Sequence, residues 1–202
     1  MVLVPDAILT AILSIFLYLA LSGALALVTV SLRKPANAPL ITAAGLVVAA
    51  LLVVAIAPAN VPIWVGLGLA MLGTAVAVVG GDSVTRRILD IATRGSVREG
   101  IAGGILVQAP PRPGAEDDPS AIASTREVMR GGTTIGYLER TAVAVAIIAG
   151  FPEAIAVVVA VKGVGRFSEL SEAQSRERFI IGTLSSLLWA AVLGGLIRLA
   201  IW

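Results

Sequence analysis

From Ala7 to Leu32 the chain runs through twenty-six residues without a charged side chain, and the run is closed by the basic pair Arg33 and Lys34. A helix needs roughly 20 apolar residues to cross a bilayer, because a rise of about 1.5 Å per residue must cover ~30 Å of hydrocarbon. Four further stretches come near or above that length: Ala38 to Ala57, Val61 to Gly80, Thr141 to Val161 and Phe179 to Ile197. The second ends at the Pro58 to Pro62 turn. The third opens on Pro62, where a missing N–H is tolerated, and is expected to stop at Gly81 and Asp82. The N-terminus lacks the basic region of a secretory signal, carries Asp6 instead, and its apolar run exceeds the ~7–15 residues of a signal core, so it reads as a retained helix.

Composition agrees with these runs. Of 202 residues, 57% are apolar and 14% are charged, against ~45–50% and ~25% in a soluble domain. An ordinary water-soluble enzyme is excluded. The absence of cysteine and histidine removes disulfides, thiolate chemistry, imidazole catalysis and the common zinc sites. No catalytic residue, metal or cofactor is expected, and no nucleic-acid partner. Lysine occurs only at 34 and 162 against thirteen arginines, which with the Ala, Gly and Val richness suggests a high-GC bacterium and its plasma membrane.

Three regions follow: a three-helix transmembrane part over 1–81, a basic loop over 82–136, and a broken membrane segment plus a final helix over 137–202. In the loop, Val84, Ile88 and Ile91 fall at helical spacing with Arg86, Arg87, Asp90 and Arg94 around the other face. That pattern fits a helix at the lipid headgroups, or a solvated connector held by i,i+4 pairs. The stretch from Pro110 to Pro119 is rich in proline and acids and reads as a linker.

Basic residues favour the cytoplasmic flanks, so the loop faces inward and the N-terminus outward. The fourth run is the awkward one, because a full crossing would put Lys162, Arg166, Arg176 and Arg178 outside. Gly150 is a helix C-terminal signal and Pro152 is placed to open a new helix. Two half-helices, Thr141 to Ala149 and Pro152 to Val161, each ~15 Å long, would form a re-entrant hairpin. This arrangement leaves only Arg198 of the fifteen basic residues outside, and is preferred; a kinked fifth crossing is the alternative.

Glu153 lies near the middle of this apolar run, where a carboxylate is costly and by default marks a site. It either contributes to a ligand or ion site at a half-helix N-terminus, or caps that helix near the interface. Lys162 and Arg166 share a helix face that either holds a lipid phosphate or marks where the helix leaves lipid. Glu139 and Arg140 stand at the entrance of the fourth segment, as an ion pair with a role or as its boundary.

In the last run Gly182, Ser186, Ala190 and Gly194 recur every four residues, a ridge of small residues that lets helices approach closely. Gly66 and Ala70 repeat the pattern more weakly. Asp82 and Asp90 lack the further acids of a two-metal transferase, and the glycine-rich Gly131 to Gly136 segment has no following Lys-Ser/Thr, so it is no P-loop and reads as a flexible entry.

The segments IGYLER at 135–140, AVKGVGRF at 160–167 and FIIGTLSS at 179–186 together resemble the C-terminal part of a bacterial membrane family, domain of unknown function 3307. The resemblance covers about the last seventy residues, with Gly163 where that pattern carries a serine. It implies that Glu139, Arg140, Lys162, Arg166 and Gly182 belong to a recurring unit, and it implies no activity.

The expected fold is therefore an all-α polytopic membrane bundle of four spans plus one broken segment. The expected function is a non-enzymatic membrane subunit or scaffold that forms a homo-oligomer or joins a membrane partner, with anionic lipid at the basic loop. The alternative is a small transporter or channel with its polar site at Glu153; a membrane enzyme acting on lipid comes third, and would need carboxylates converging at the membrane surface.

Overall fold

The uncharged runs do form helices. The computed structural model describes residues 6–33, 37–92, 105–108, 125–128, 132–165 and 173–202. Its helices are α1 (Asp6–Arg33), α2 (Asn37–Ile56), α3 (Ile63–Ala92), α4 (Gly132–Ile148), α5 (Ala154–Gly165) and α6 (Ala173–Ile201). Four of them, α1, α2, α3 and α6, are long and apolar enough to cross a membrane. The architecture is an all-α bundle with one broken segment, and it fits a membrane protein.

Contacts along the helices fix their directions. On α1, Tyr18 donates to the Val65 carbonyl and the Ser31 and Ser83 hydroxyls lie 3.4 Å apart, so α1 and α3 run parallel. Helices α3 and α6 are antiparallel: Gly66 packs on Ile201, Gly73 on Ile197, Gly80 on Trp189, and Gly182 faces Leu89. Arg140 meets Ser186, Gly194 meets Ala144, and Arg198 reaches the Ile148 carbonyl, so α4 runs parallel to α6. Lys162 returns to Glu139 and makes α5 antiparallel to α4.

The bundle thus has two distinct ends. At one, the basic-loop end, lie Arg33, the end of α3, the start of α4, the end of α5 and the start of α6. The turn end holds the α2–α3 connection, where the Val61 amide donates to the Ala200 carbonyl, and the α4–α5 turn beside Arg198. Exposed Trp64 and Trp202 stand at this end, as tryptophans do at a membrane interface. Because α4 begins and α5 finishes at the same end, the chain makes a hairpin and the kinked fifth crossing does not describe it.

The turn is a Schellman motif. The Phe151 amide bonds the Ala146 carbonyl at 2.8 Å and the Gly150 amide bonds Ile147 at 3.0 Å, with Gly150 at φ 81°; glycine takes this left-handed position without a Cβ penalty. Pro152 lies in the turn instead of opening α5.

Three expectations need correction. Helix α3 does not stop at Gly81 and Asp82 but continues to Ala92. The backbone keeps its helix through Gly80 and Gly81 because both are packed, against Trp189 and Arg140, and the amphipathic stretch from Val84 to Ile91 is its extension. Of the apolar face expected there, Ile88 and Ile91 are exposed, and Leu89 and Thr85 turn to α6. Second, Gly136 is no flexible entry: α4 starts at Gly132, nine residues before the expected half-helix, and its 17 residues rise about 25 Å. Third, part of the loop pairs as two antiparallel strands, β1 (Ile105–Gln108) and β2 (Thr125–Val128), with Ile105 opposite Val128. Arg94 and the Pro110 to Pro119 linker lie outside the described residues.

The core runs from the packing of α1 on α2 and α3 to that of α6 on α3 and α4. Leu17, Leu21, Leu69, Val76, Leu193, Leu196 and Ile197 are fully or almost fully buried there. No residue of α5 is buried.

Candidate functional site

Four charged side chains from three helices meet toward the basic-loop end. Helix α4 supplies Glu139 and Arg140, α3 supplies Asp82, and α5 supplies Lys162. Arg140 is 2% exposed. Its Nη1 donates to Ser186 Oγ at 3.0 Å, its Nη2 stands 3.8 Å from Asp82 Oδ1, and its guanidinium lies 5.3 Å from the Tyr137 ring centre. The Asp82 contact is an ion pair without a hydrogen bond, since 3.8 Å exceeds bonding distance. Among the described residues, Arg140 Nε and Nη2 and the buried Thr85 hydroxyl have no hydrogen-bond partner.

Glycines make room for this guanidinium. Gly81 on α3 and Gly136 on α4 both face it; a Cβ at Gly136 would lie 3.2 Å from Nη1. The second pair is Lys162 and Glu139, 2.5 Å apart between Nζ and Oε2. Lys162 also stands 5.8 Å from the Phe179 ring centre on α6, which suits a cation over an aromatic face. Two carboxylates therefore face two cations, and Asp82 Oδ2 also accepts from Arg86 Nη2 at 3.1 Å, the shorter of its two ion pairs among the described residues. In a low-dielectric interior such pairing offsets only part of the desolvation cost, because Arg140 Nε and Nη2 make no hydrogen bond.

The other residues singled out by sequence are placed as follows. Glu153 is exposed at the α4–α5 turn, and its carbonyl accepts the Ala156 amide at 3.1 Å; among the described residues its carboxylate has no hydrogen bond or ion pair. The cluster and Glu153 are not brought together, because they occupy opposite ends of the hairpin. Arg166 lies outside the described residues. Gly182, Ser186, Ala190 and Gly194 are set against α3 and α4 within the chain: Gly182 beside Leu89 and Thr85, Gly194 against the Ala144 carbonyl, where a Cβ would lie at 3.1 Å. Ser186 is at once part of that ridge and the acceptor for Arg140.

Sequence reasoning missed three participants: Asp82, Tyr137 and Ser186 as a hydrogen-bond partner. It named Gly66 but missed Gly73 and Gly80, which continue it at a spacing of seven on α3 against α6. That spacing was a signal available in the sequence, since a repeat of seven keeps residues on one helix face.

Between α4 and α5 runs a groove of about 600 Å³, walled mostly by apolar side chains including Leu138, Ala142, Val158 and Val161, with Glu139 and Lys162 as its charged members. A smaller groove of about 490 Å³ lies along α1 between Ser22 and Arg33, with Leu72 of α3 on its far side. No group of His, Cys, Asp and Glu side chains suited to a metal ion occurs among the described residues. Comparisons with protein-family models, with curated proteins and with solved structures find no match to this chain.

Proposed function

We propose that this chain is a non-enzymatic subunit or scaffold of a bacterial plasma membrane, with its N-terminus outside and its basic loop in the cytoplasm. The observation that carries this reading is the pairing of the two buried charges, Glu139 and Arg140, with half-buried Lys162 and Asp82. Asp82, Arg140, Glu139 and Lys162 engage one another across α3, α4 and α5, so their charge serves to fix the hairpin to the bundle. Polar groups of a transport path have instead to exchange partners with a solute. Glu153, the residue on which a transporter would rest, stands exposed at the turn end without a polar partner among the described residues.

A surface for a membrane partner is offered by α2. Ile41, Val48, Leu52 and Ile56 are exposed along it, and Gly45 has open space before it; this is a face on which a second helix packs closely. Anionic lipid at the basic loop belongs to the same proposal, as does the kinship of the last seventy residues with domain of unknown function 3307.

The test is photo-crosslinking in native membranes from a probe amino acid at Leu52. A discrete protein adduct of reproducible mass is expected, from a partner or a second copy. Adducts to lipid alone, together with solute flux in proteoliposomes that Glu153→Gln abolishes, would replace this reading by the transporter.

A further inference from the structure

The groove between α4 and α5 has a polarity of its own. Its ion pair lies toward the basic-loop end: Lys162 is three residues from Gly165 but eight from Ala154 at the far limit of the groove, a distance of about 12 Å along the helix. That longer arm is walled by apolar side chains such as Ala142 and Val158. A phospholipid in the adjacent leaflet has the same polarity, with its headgroup toward the basic-loop end and its chains toward the bilayer centre.

The charges narrow the headgroup. Lys162 spends one donor on Glu139 and an ammonium has three, so it can also hold a phosphate oxygen. Glu139 gives Oε2 to Lys162, and the carboxylate retains further acceptor positions. An adjacent cation and anion complement an adjacent anion and cation. A headgroup with a phosphate and a primary ammonium meets both partners with charge-assisted hydrogen bonds; a quaternary ammonium has no N–H to donate, and a purely anionic head leaves Glu139 opposed to it.

We propose that the α4–α5 groove binds a zwitterionic phospholipid with an ethanolamine-type headgroup, its phosphate on Lys162, its ammonium on Glu139 and one acyl chain along Ala142 and Val158. The proposal does not depend on the scaffold reading. The volume falls in the range of roughly 300–1,000 Å³ usual for small-molecule sites.

The experiment is native mass spectrometry of the full chain released from detergent, with dioleoyl phosphatidylethanolamine, phosphatidylcholine and phosphatidylglycerol added in equal amounts. The ethanolamine lipid is expected to be retained about tenfold over the choline lipid, the ratio that one charge-assisted hydrogen bond supports. Val158→Trp, which fills the apolar arm, and the milder Ala142→Leu are expected to lower that retention about tenfold and severalfold respectively, with the circular dichroism of the wild type. Equal retention of ethanolamine and choline lipids in the wild type overturns the proposal whether or not the variants fold. Retention unchanged in folded variants overturns it in favour of non-specific boundary lipid. A dimer that Val158→Trp dissolves overturns it in favour of a second copy in the groove.

Discussion

Gly81 lies directly against the side chain of Arg140: a Cβ on the glycine would come within 2.6 Å of Nε and 3.0 Å of Cζ. The arginine is almost completely buried, so it has little room to withdraw. Gly81→Ala is expected to cost about 1–3 kcal/mol, the usual range for overpacking, seen as a lower thermal midpoint by circular dichroism in detergent. Gly45→Ala, which faces open space, is the control; it should leave the midpoint unchanged or raise it by the helix preference of alanine, at most ~1 kcal/mol.

Ser186 is the hydrogen-bonding acceptor of Arg140. Ser186→Ala leaves Nη1 buried and unpaired, which should cost about 1–3 kcal/mol. In an Arg140→Met background the same change should cost far less, because no donor is left behind. A double-mutant cycle on unfolding midpoints measures the difference, and equal costs in both backgrounds would dismiss the pairing as a determinant of stability.

The left-handed conformation of Gly150 makes a separate claim. Alanine there adopts a disfavoured backbone and meets Arg198, whose Nη1 would lie 2.5 Å from the new Cβ. Gly150→Ala is expected to destabilise by about 1–2 kcal/mol from the backbone alone. Adding Arg198→Ala relieves the side-chain conflict and leaves the backbone cost, so the double variant should recover only part of the loss.

The hairpin fixes which loops share a side of the membrane. The chain has no native cysteine, so single variants Ser120→Cys and Ser171→Cys can be probed with a membrane-impermeant thiol reagent. Both are expected to react only after lysis, and Asn60→Cys, in the α2–α3 connection at the turn end, on intact cells. Opposite behaviour of positions 120 and 171 would contradict the common end assigned to α4 and α6.

The four long helices were legible because lipid demands long uncharged runs, and the run from Ala7 to Leu32 predicts α1 to within one residue at each end. The break was legible from Gly150, whose helix-ending signal holds, whereas Pro152, expected to open the second half-helix, lies in the turn. The extents of α3 and α4 were not, because glycine read as a breaker at 81 and 136 is in fact accommodating a side chain from across the bundle. Such a role depends on where Arg140 lies in space, fifty-nine residues along the chain from Gly81, and no local pattern carries that distance. For the same reason Glu139 and Arg140 could be named as a possible pair at the entrance, while their true partners, Lys162 and Asp82, could not.

Helix α5 has 12 residues and rises about 18 Å, too little to cross hydrocarbon unaided. Its placement therefore depends on the helix made before it. During synthesis Glu139 leaves the ribosome ahead of Lys162, and each charge taken alone opposes entry into lipid. Joined across the turn they present a hairpin whose charges cancel, which is far cheaper to insert than either helix in sequence. The Gly150 turn thus sets the two charges side by side on one hairpin, so that α5 meets the bundle with its lysine already answered by α4.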